Sequence, residues 1–333
     1  MKRLLLMSVM VVLLLALSVL PFMAGCAKPA AGPITWKAIQ SQPLGHSDFF
    51  IWEWYVEQVN ERAQGEFMID IIGGPEAIPI AEQPAAIKDG IVDIGGEYAN
   101  RVGKIVPPIG LWNQLEIPVA ELRERGGFDV LQDAANEQGL YFLGPVSESL
   151  AGSTHIYTNK PVDKPQDLAG QRMASYGAMR PWIEALGMTY VAASPTERYT
   201  AVERGLADGT VVGDGTAIGF SIVEVADYRI EPGACSPHSI VVANLNSWNS
   251  LPEKFQKILT DVALEAEANN AEWWEAYVDQ SMKTMSDQGM KTITFTGADA
   301  QFLKDQHSKA TWADTYEKFP IWAPIVYELF RAK

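Results

Sequence analysis

From Ile34 onward, short apolar runs alternate with amphipathic ones. Ile34 to Gln40 reads as a strand. Asp48 to Gln64 then sets Phe50, Trp54, Val56 and Val59 at helical spacing, and Gly65 closes the helix. Phe67 to Ile72 is a second strand ending in Gly73-Gly74-Pro75-Glu76, Ala81 to Lys88 a helix closed by Gly90, and Val92 to Tyr98 a third strand. A βαβαβ order with short connections predicts an α/β layer built on a parallel sheet.

The middle of the chain repeats this style. Leu140–Val146 and His155–Asn159 read as strands, as does Arg172–Ser175, which leads into a helix ending at Leu186 with Gly187 as its cap. Thr189–Ala192, Gly209–Gly213 and Ser239–Ala243 are further strands. Ser194-Pro195-Thr196-Glu197 is a helix start: Ser194 can cap, Pro195 suits the first turn, and Glu197 can accept from the Ser194 amide. That helix runs to Gly205.

The C-terminal third differs. Ser250-Leu251-Pro252-Glu253 reads as a second capping box, followed by a helical pattern to about Gln288 with no glycine before Gly289. Phe255, Leu259, Val262, Ala266, Trp273, Tyr277 and Met285 recur at helical spacing. Such a helix would be roughly 58 Å long, more than a lobe of about 150 residues with a radius of gyration near 15 Å. Either one helix lies along two lobes, or two helices meet at Asn269-Asn270, where propensity is poor.

The first residues change the picture of where the protein works. Lys2 and Arg3 precede an uncharged apolar run from Leu4 to Leu20, and Met23-Ala24-Gly25-Cys26 follows. This is the build of a secretory signal, and its end resembles the lipobox of bacterial lipoproteins, with Met where Leu is usual. The resemblance implies removal of residues 1–25, lipidation of Cys26 and a tether over residues 26–33, giving an extracytoplasmic protein attached to a membrane. A plain membrane anchor is the alternative for so long an apolar run. Ala27 is not the Asp linked to inner-membrane retention, and the choice of membrane stays open.

Loss of residues 1–25 removes two bases and no acid, so the formal net charge moves from −15 to −17. That excludes a nucleic-acid partner, which needs a basic surface. Cys235 is the only other cysteine, so no internal disulfide and no Cys-based metal site is expected. About 300 remaining residues exceed one comfortable core, and two lobes are expected.

Several stretches together resemble solute-binding proteins of the DctP type, the receptors of tripartite ATP-independent periplasmic (TRAP) transporters. They are Val59-Asn60-Glu61-Arg62-Ala63-Gln64-Gly65; Ala86-Ile87-Lys88-Asp89-Gly90-Ile91-Val92-Asp93-Ile94; and Asn159-Lys160-Pro161-Val162 leading to Pro165-Gln166-Asp167-Leu168-Ala169-Gly170. Glu197 to Gly205 with Asp208-Gly209 follows, then Asn244, Trp248 and Leu251. The resemblance spans nearly the whole chain after the signal, in the expected order. It implies a two-lobe fold like type II periplasmic binding proteins, with hinge strands crossing between lobes and a long C-terminal helix spanning both. The lobes are expected at residues 34–156 plus 240–280 and 157–239 plus 281–333. It also implies no catalysis and no cofactor or metal. The protein would capture a small organic solute, most often an organic acid, and pass it to an ion-gradient-driven membrane permease.

The resemblance also places a ligand-holding arginine on the strand after the Asp-Leu-x-Gly turn, because a planar guanidinium gives a carboxylate two parallel hydrogen bonds. Here that position is Ala174, a second arginine position is Thr154, and an expected Asn is Val212. Arg172, two residues before Ala174 and on the same strand face, is one candidate replacement. The other reading is a pocket without the usual clamp. Ligands of open α/β sheets sit beyond strand C-termini, which makes Glu97, Tyr98, Arg101, Ser175, Tyr176, Arg180, Asp214 and His238 candidate contacts beside Arg172. Trp52, Trp54, Trp112 and Trp182 are expected mainly in the core. An ABC-type binding lipoprotein is the nearest rival. A secreted enzyme is remote: no G-x-S-x-G or H-E-x-x-H occurs, and the glycines at 213, 215 and 219 miss a dinucleotide fingerprint by one residue.

Overall fold

The computed structural model describes residues 32–147, 154–234 and 238–331. The signal peptide, Cys26 and Cys235 lie outside the described residues. The strands in chain order are β1 (Ile34–Gln40), β2 (Phe67–Ile71), β3 (Ile94–Tyr98), β4 (Leu140–Ser147), β5 (Thr154–Thr158) and β6 (Arg172–Ser175). They continue with β7 (Thr189–Ala192), β8 (Gly209–Gly213), β9 (Tyr228–Glu231), β10 (Ser239–Asn244) and β11 (Lys291–Thr294).

These strands form two sheets, one per lobe. The first has the order β2-β1-β3-β10-β4, with β1 parallel to β3 and β10 antiparallel to both its neighbours. The second has the order β11-β9-β5-β8-β6-β7, with β7, β6 and β8 parallel and β5 antiparallel to β8 and β9. Both lobes follow one plan. A βαβαβ run supplies three parallel strands, and a strand arriving from the other half of the chain joins in the opposite direction. The chain enters the second sheet after β4 and returns to the first after β9. Central β8 and β10 are buried at every position, which is why each reads as a nearly continuous apolar run rather than an alternating one.

Each lobe has its own core. Ile39, Ile87, Trp112, Leu131, Phe142 and Ile240 meet in the first. Ile156, Met173, Trp182, Val211, Ile230 and Leu303 meet in the second. The long helix, Glu253–Asp287, joins the two. Its 35 residues run unbroken through Asn269-Asn270, about 52 Å at 1.5 Å per residue. Near its start Phe255 stacks on Phe67, with ring centroids 5.3 Å apart, and the Tyr55 hydroxyl donates to the Leu259 carbonyl at 3.2 Å. Near its end Met285 packs with Tyr157, Val212 and Ile222 of the second lobe. Burial of Val262, Ala266, Asn270 and Trp274 on one face holds the middle, so packing overrides the weak propensity of the Asn pair.

Two expectations are corrected. The long helix is not capped by Ser250, whose hydroxyl donates to the Ser247 carbonyl at 2.9 Å within a separate short helix, Leu245–Ser250; Pro252 occupies the cap position. Residues 281–333 do not all belong to the second lobe. Leu303 on the Gly297–Lys318 helix lies in the second core, but Trp312 on the same helix lies in the first. Val326 and Phe330 of the final helix, Trp322–Phe330, also close the first core. Among the described residues, no helix is long and apolar enough to cross a membrane.

Candidate functional site

A cleft of about 350 Å³ lies between the two sheets, at the C-terminal ends of β3 and β8. From the first lobe come Gln42, Asp48, Tyr98, Asn100 and Arg101. From the second come Tyr176, Thr196, Arg198, Val212, Thr216 and Phe220, and His238 enters from the segment leading into β10.

The first-lobe wall is organised by Tyr98, the last residue of β3. Its hydroxyl donates to Asp48 Oδ2 at 2.9 Å and accepts from Gln42 Nε2 at 3.2 Å, while Phe49 packs edge-on against its ring at 5.1 Å. The Tyr277 hydroxyl of the long helix reaches the other Asp48 oxygen at 3.4 Å. Burial raises the Asp48 pKa, and the hydrogen bonds from the two tyrosines oppose that rise. Arg101 follows one turn later on the Ala99–Val102 helix. Gly103 seats that turn against Gly110: a Cβ at 103 would stand 2.3 Å from the Gly110 Cα, so only glycine allows the approach.

The second-lobe wall is the first turn of the Pro195–Glu203 helix. Glu197 Oε2 accepts from the Ser194 amide at 2.8 Å, as the capping signal predicts, and Pro195 fills the first turn. This start aims Thr196 and Arg198 at the cleft. Arg198 is 4% exposed. Its Nε donates to the Ala193 carbonyl at 3.3 Å, and its guanidinium lies 5.4 Å from the Tyr176 ring centroid. Burial lowers its pKa, and the positive charge of Arg101 adds to that effect. Among the described residues, neither Arg101 nor Arg198 is ion-paired with a carboxylate.

Of the nine expected contacts, Tyr98, Arg101, Tyr176 and His238 line the cleft. The other five do not. Glu97 points into the first lobe, fully buried, where it accepts from the Ser41 hydroxyl at 2.6 Å; burial pushes its pKa up to about 8. Ser175 is spent on the Val211 carbonyl at 2.5 Å. Arg172 lies outside the cleft at the surface, where its Nε meets Asp208 at 3.0 Å and its Nη2 the Gly205 carbonyl at 2.9 Å. It is therefore not placed as a clamp. Arg180 is exposed and paired with Glu184 at 2.8 Å. Asp214 turns away from the cleft into a buried network: Arg229 donates to both its oxygens at 3.1 and 2.8 Å, Tyr157 to one at 2.5 Å, and His155 Nδ1 lies 2.7 Å away. Trp52, Trp112 and Trp182 are buried in the cores, and Trp54 packs on Trp273.

Sequence reasoning missed Arg198 and Asp48, the two charged groups that dominate the cleft beside Arg101. The Ser194 capping signal could have pointed to the first, because it marks a helix start at a strand end. Of the positions where the resemblance places polar contacts, Val212 lines the cleft, whereas Ala174 is fully buried. Among the described residues, no three His, Cys, Asp or Glu side chains are grouped to hold a metal ion.

A family model described as bacterial extracellular solute-binding protein, family 7 (DctP) matches residues 51–318. The chain belongs to this family. Among curated relatives, a monocarboxylate 2-oxoacid-binding periplasmic protein of Nostoc sp. is 24% identical over 276 residues, covering 79% of this chain and 74% of the relative. Among solved structures, the DctP7 receptor of Bordetella pertussis, which binds pyroglutamic acid, superposes with a TM-score of 0.75 at 18% identity, over 90% of this chain and 99% of that one. A TRAP periplasmic solute-binding protein of Desulfovibrio salexigens with bound orotic acid gives 0.76 at 18% identity, over 89% and 97%. An apo open structure from Marinobacter aquaeolei gives 0.76 at 18%, over 90% and 100%. These superpositions match the two-lobe fold across nearly the whole described chain. DctP proteins are extracytoplasmic solute receptors of TRAP systems.

Proposed function

We propose that this DctP-family protein captures a small organic acid outside the cytoplasm, held to a membrane by lipidated Cys26, and delivers it to an ion-gradient-driven permease. The observation that carries the organic-acid reading is the pair of guanidiniums, Arg101 and Arg198, facing one cleft from different lobes, neither ion-paired with a carboxylate among the described residues. Uncancelled positive charge in a chain of net charge −15 calls for an anionic guest. The named ligands of the relatives, 2-oxoacids, pyroglutamate and orotate, are of that class. Contact with both walls is available only when the lobes approach, so an anion selects the closed form. The N-terminal lipobox supports the anchor, and the family supports the permease partner.

A thermal-shift screen of the soluble chain against organic acids, sugar acids, neutral sugars and amino acids tests the ligand class. A true ligand at 100 times its dissociation constant adds about 2.7 kcal/mol. Stabilisation by neutral sugars alone would reject the organic-acid reading, and stabilisation by none of these compounds would reject solute capture among these classes. For the anchor, metabolic labelling with a fatty acid is expected to mark the wild type and not Cys26→Ser; a wild type that takes up no label would count against lipidation.

A further inference from the structure

Arg198 is among the least compensated charges in the described chain. It is nearly fully buried and lines the cleft, and a single neutral carbonyl takes its Nε at 3.3 Å. The other donors of its fork remain for whatever enters. A buried guanidinium without a counter-charge is costly, and the cost is removed only when an anion arrives. Ala174, the β6 residue beneath this helix, packs against Ala201 and Val202, so the strand itself presents only a methyl group there. The guanidinium comes from the helix instead. Arg101 faces it from the first lobe, and Glu97 turns away from the cleft to the Ser41 hydroxyl, with burial pushing its pKa up to about 8.

The cleft is not positive throughout. Asp48 also lines it and accepts from the Tyr98 hydroxyl at 2.9 Å. Asp48 forms no ion pair with either arginine. The cavity wall thus carries the cations Arg198 and Arg101 and the acid Asp48 together, with Tyr176 and the apolar Val212 and Phe220 among them.

We propose that Arg198 grips the ligand's carboxylate from the second lobe while Arg101 meets it from the first, and that Asp48 restricts the ligand to a monocarboxylate whose other end offers a hydrogen-bond donor. This rests on the organic-acid reading above. A second carboxylate would confront Asp48, and repulsion of the wrong partner contributes as much to specificity as attraction of the right one.

Titration calorimetry with pyroglutamate, 2-oxobutyrate, orotate, succinate and 2-oxoglutarate tests it, with thermal unfolding of each apo variant alongside. The wild type is expected to bind one or more of the three monocarboxylates and neither dicarboxylate. Arg198→Met is expected to weaken the bound monocarboxylate by about 100-fold or more, with an apo Tm equal to or above wild type because an uncompensated charge is gone. Arg198→Lys should lose less. Asp48→Asn should begin to admit succinate or 2-oxoglutarate. If Arg198→Met lowers apo Tm yet leaves the affinity of the folded protein intact, Arg198 is structural and the proposal fails. Preference of the wild type for a dicarboxylate would also overturn it while leaving organic-acid capture standing. Binding of none of the five probes would overturn it as well, and the broader screen above then decides separately whether solute capture stands.

Discussion

At the scale of single residues, the cleft is decided by the alternation of side chains where a strand ends. Glu97 and Tyr98 are neighbours, as are Ser175 and Tyr176; in each pair the first side chain is buried in its lobe and the second faces the cleft. Sequence reasoning can find the strand end, but which of two successive residues faces the ligand depends on the exact last pleat. Arg198 and Asp48 were harder still, because both lie in helical turns whose rotation is set by packing. Glu97 carries its own prediction. The unfolded chain releases its proton near pH 4.5, whereas the folded chain keeps it to about 8. The folded state therefore binds more protons between those values, and its stability falls as pH rises through them, by at most about 1.4 kcal/mol per pH unit. Glu97→Gln should flatten that slope and exceed wild type in urea-unfolding stability above pH 8. Arg172→Ala, by contrast, should leave ligand affinity within about twofold of wild type in calorimetry, since its partners are Asp208 and the Gly205 carbonyl at the surface.

At the scale of elements, the buried network of the second sheet explains why Asp214 looked functional. An acid at the end of a strand and the start of a helix suits a binding site, yet β5 and β9 place His155, Tyr157 and Arg229 around it. Burial alone would lower the His155 pKa, but Asp214 and Glu231 outweigh it and the value is raised; the same contacts lower Asp214 and Glu231 against burial. The contribution of His155 is thus complete below its unfolded value of 6.5 and is lost as pH rises through the folded value. The carboxylates contribute fully above their unfolded values of 3.8 and 4.5, and that contribution is lost as pH falls through their depressed folded values. Thermal unfolding of the wild type should show this network at its strongest between those limits. Asp214→Asn leaves Arg229 with Glu231 as its remaining carboxylate partner and should cost at most about 3–5 kcal/mol in chemical unfolding, without a change in the ligand spectrum of whatever protein remains folded. In the long helix, Asn270 is 1% exposed and neither polar atom of its side chain meets a partner among the described residues. Asn270→Leu should leave thermal stability unchanged or raise it by about 1 kcal/mol.

Strands and the long helix were legible because their signals are local: β6, β7 and β8 end at the residues their apolar runs predict. The helices after Gly297 were not. Leu303 and Trp312 sit nine positions apart on one helix and serve two different cores, so no single apolar stripe marks that helix as belonging to either lobe.

At the scale of the whole molecule, two similar halves meet at one cleft, and a ligand touching both should pull them together. Small-angle scattering should show a smaller radius of gyration with a saturating monocarboxylate than without it, and Arg101→Gln should blunt the change. The long helix limits how that motion can occur. It is fastened to the first lobe through Tyr55, Arg62 and Arg123, and to the second through Met285. A strut clamped at both ends cannot lengthen, so the halves cannot simply draw apart in parallel. They must swing, with least travel beside the strut and most at the rim across from it.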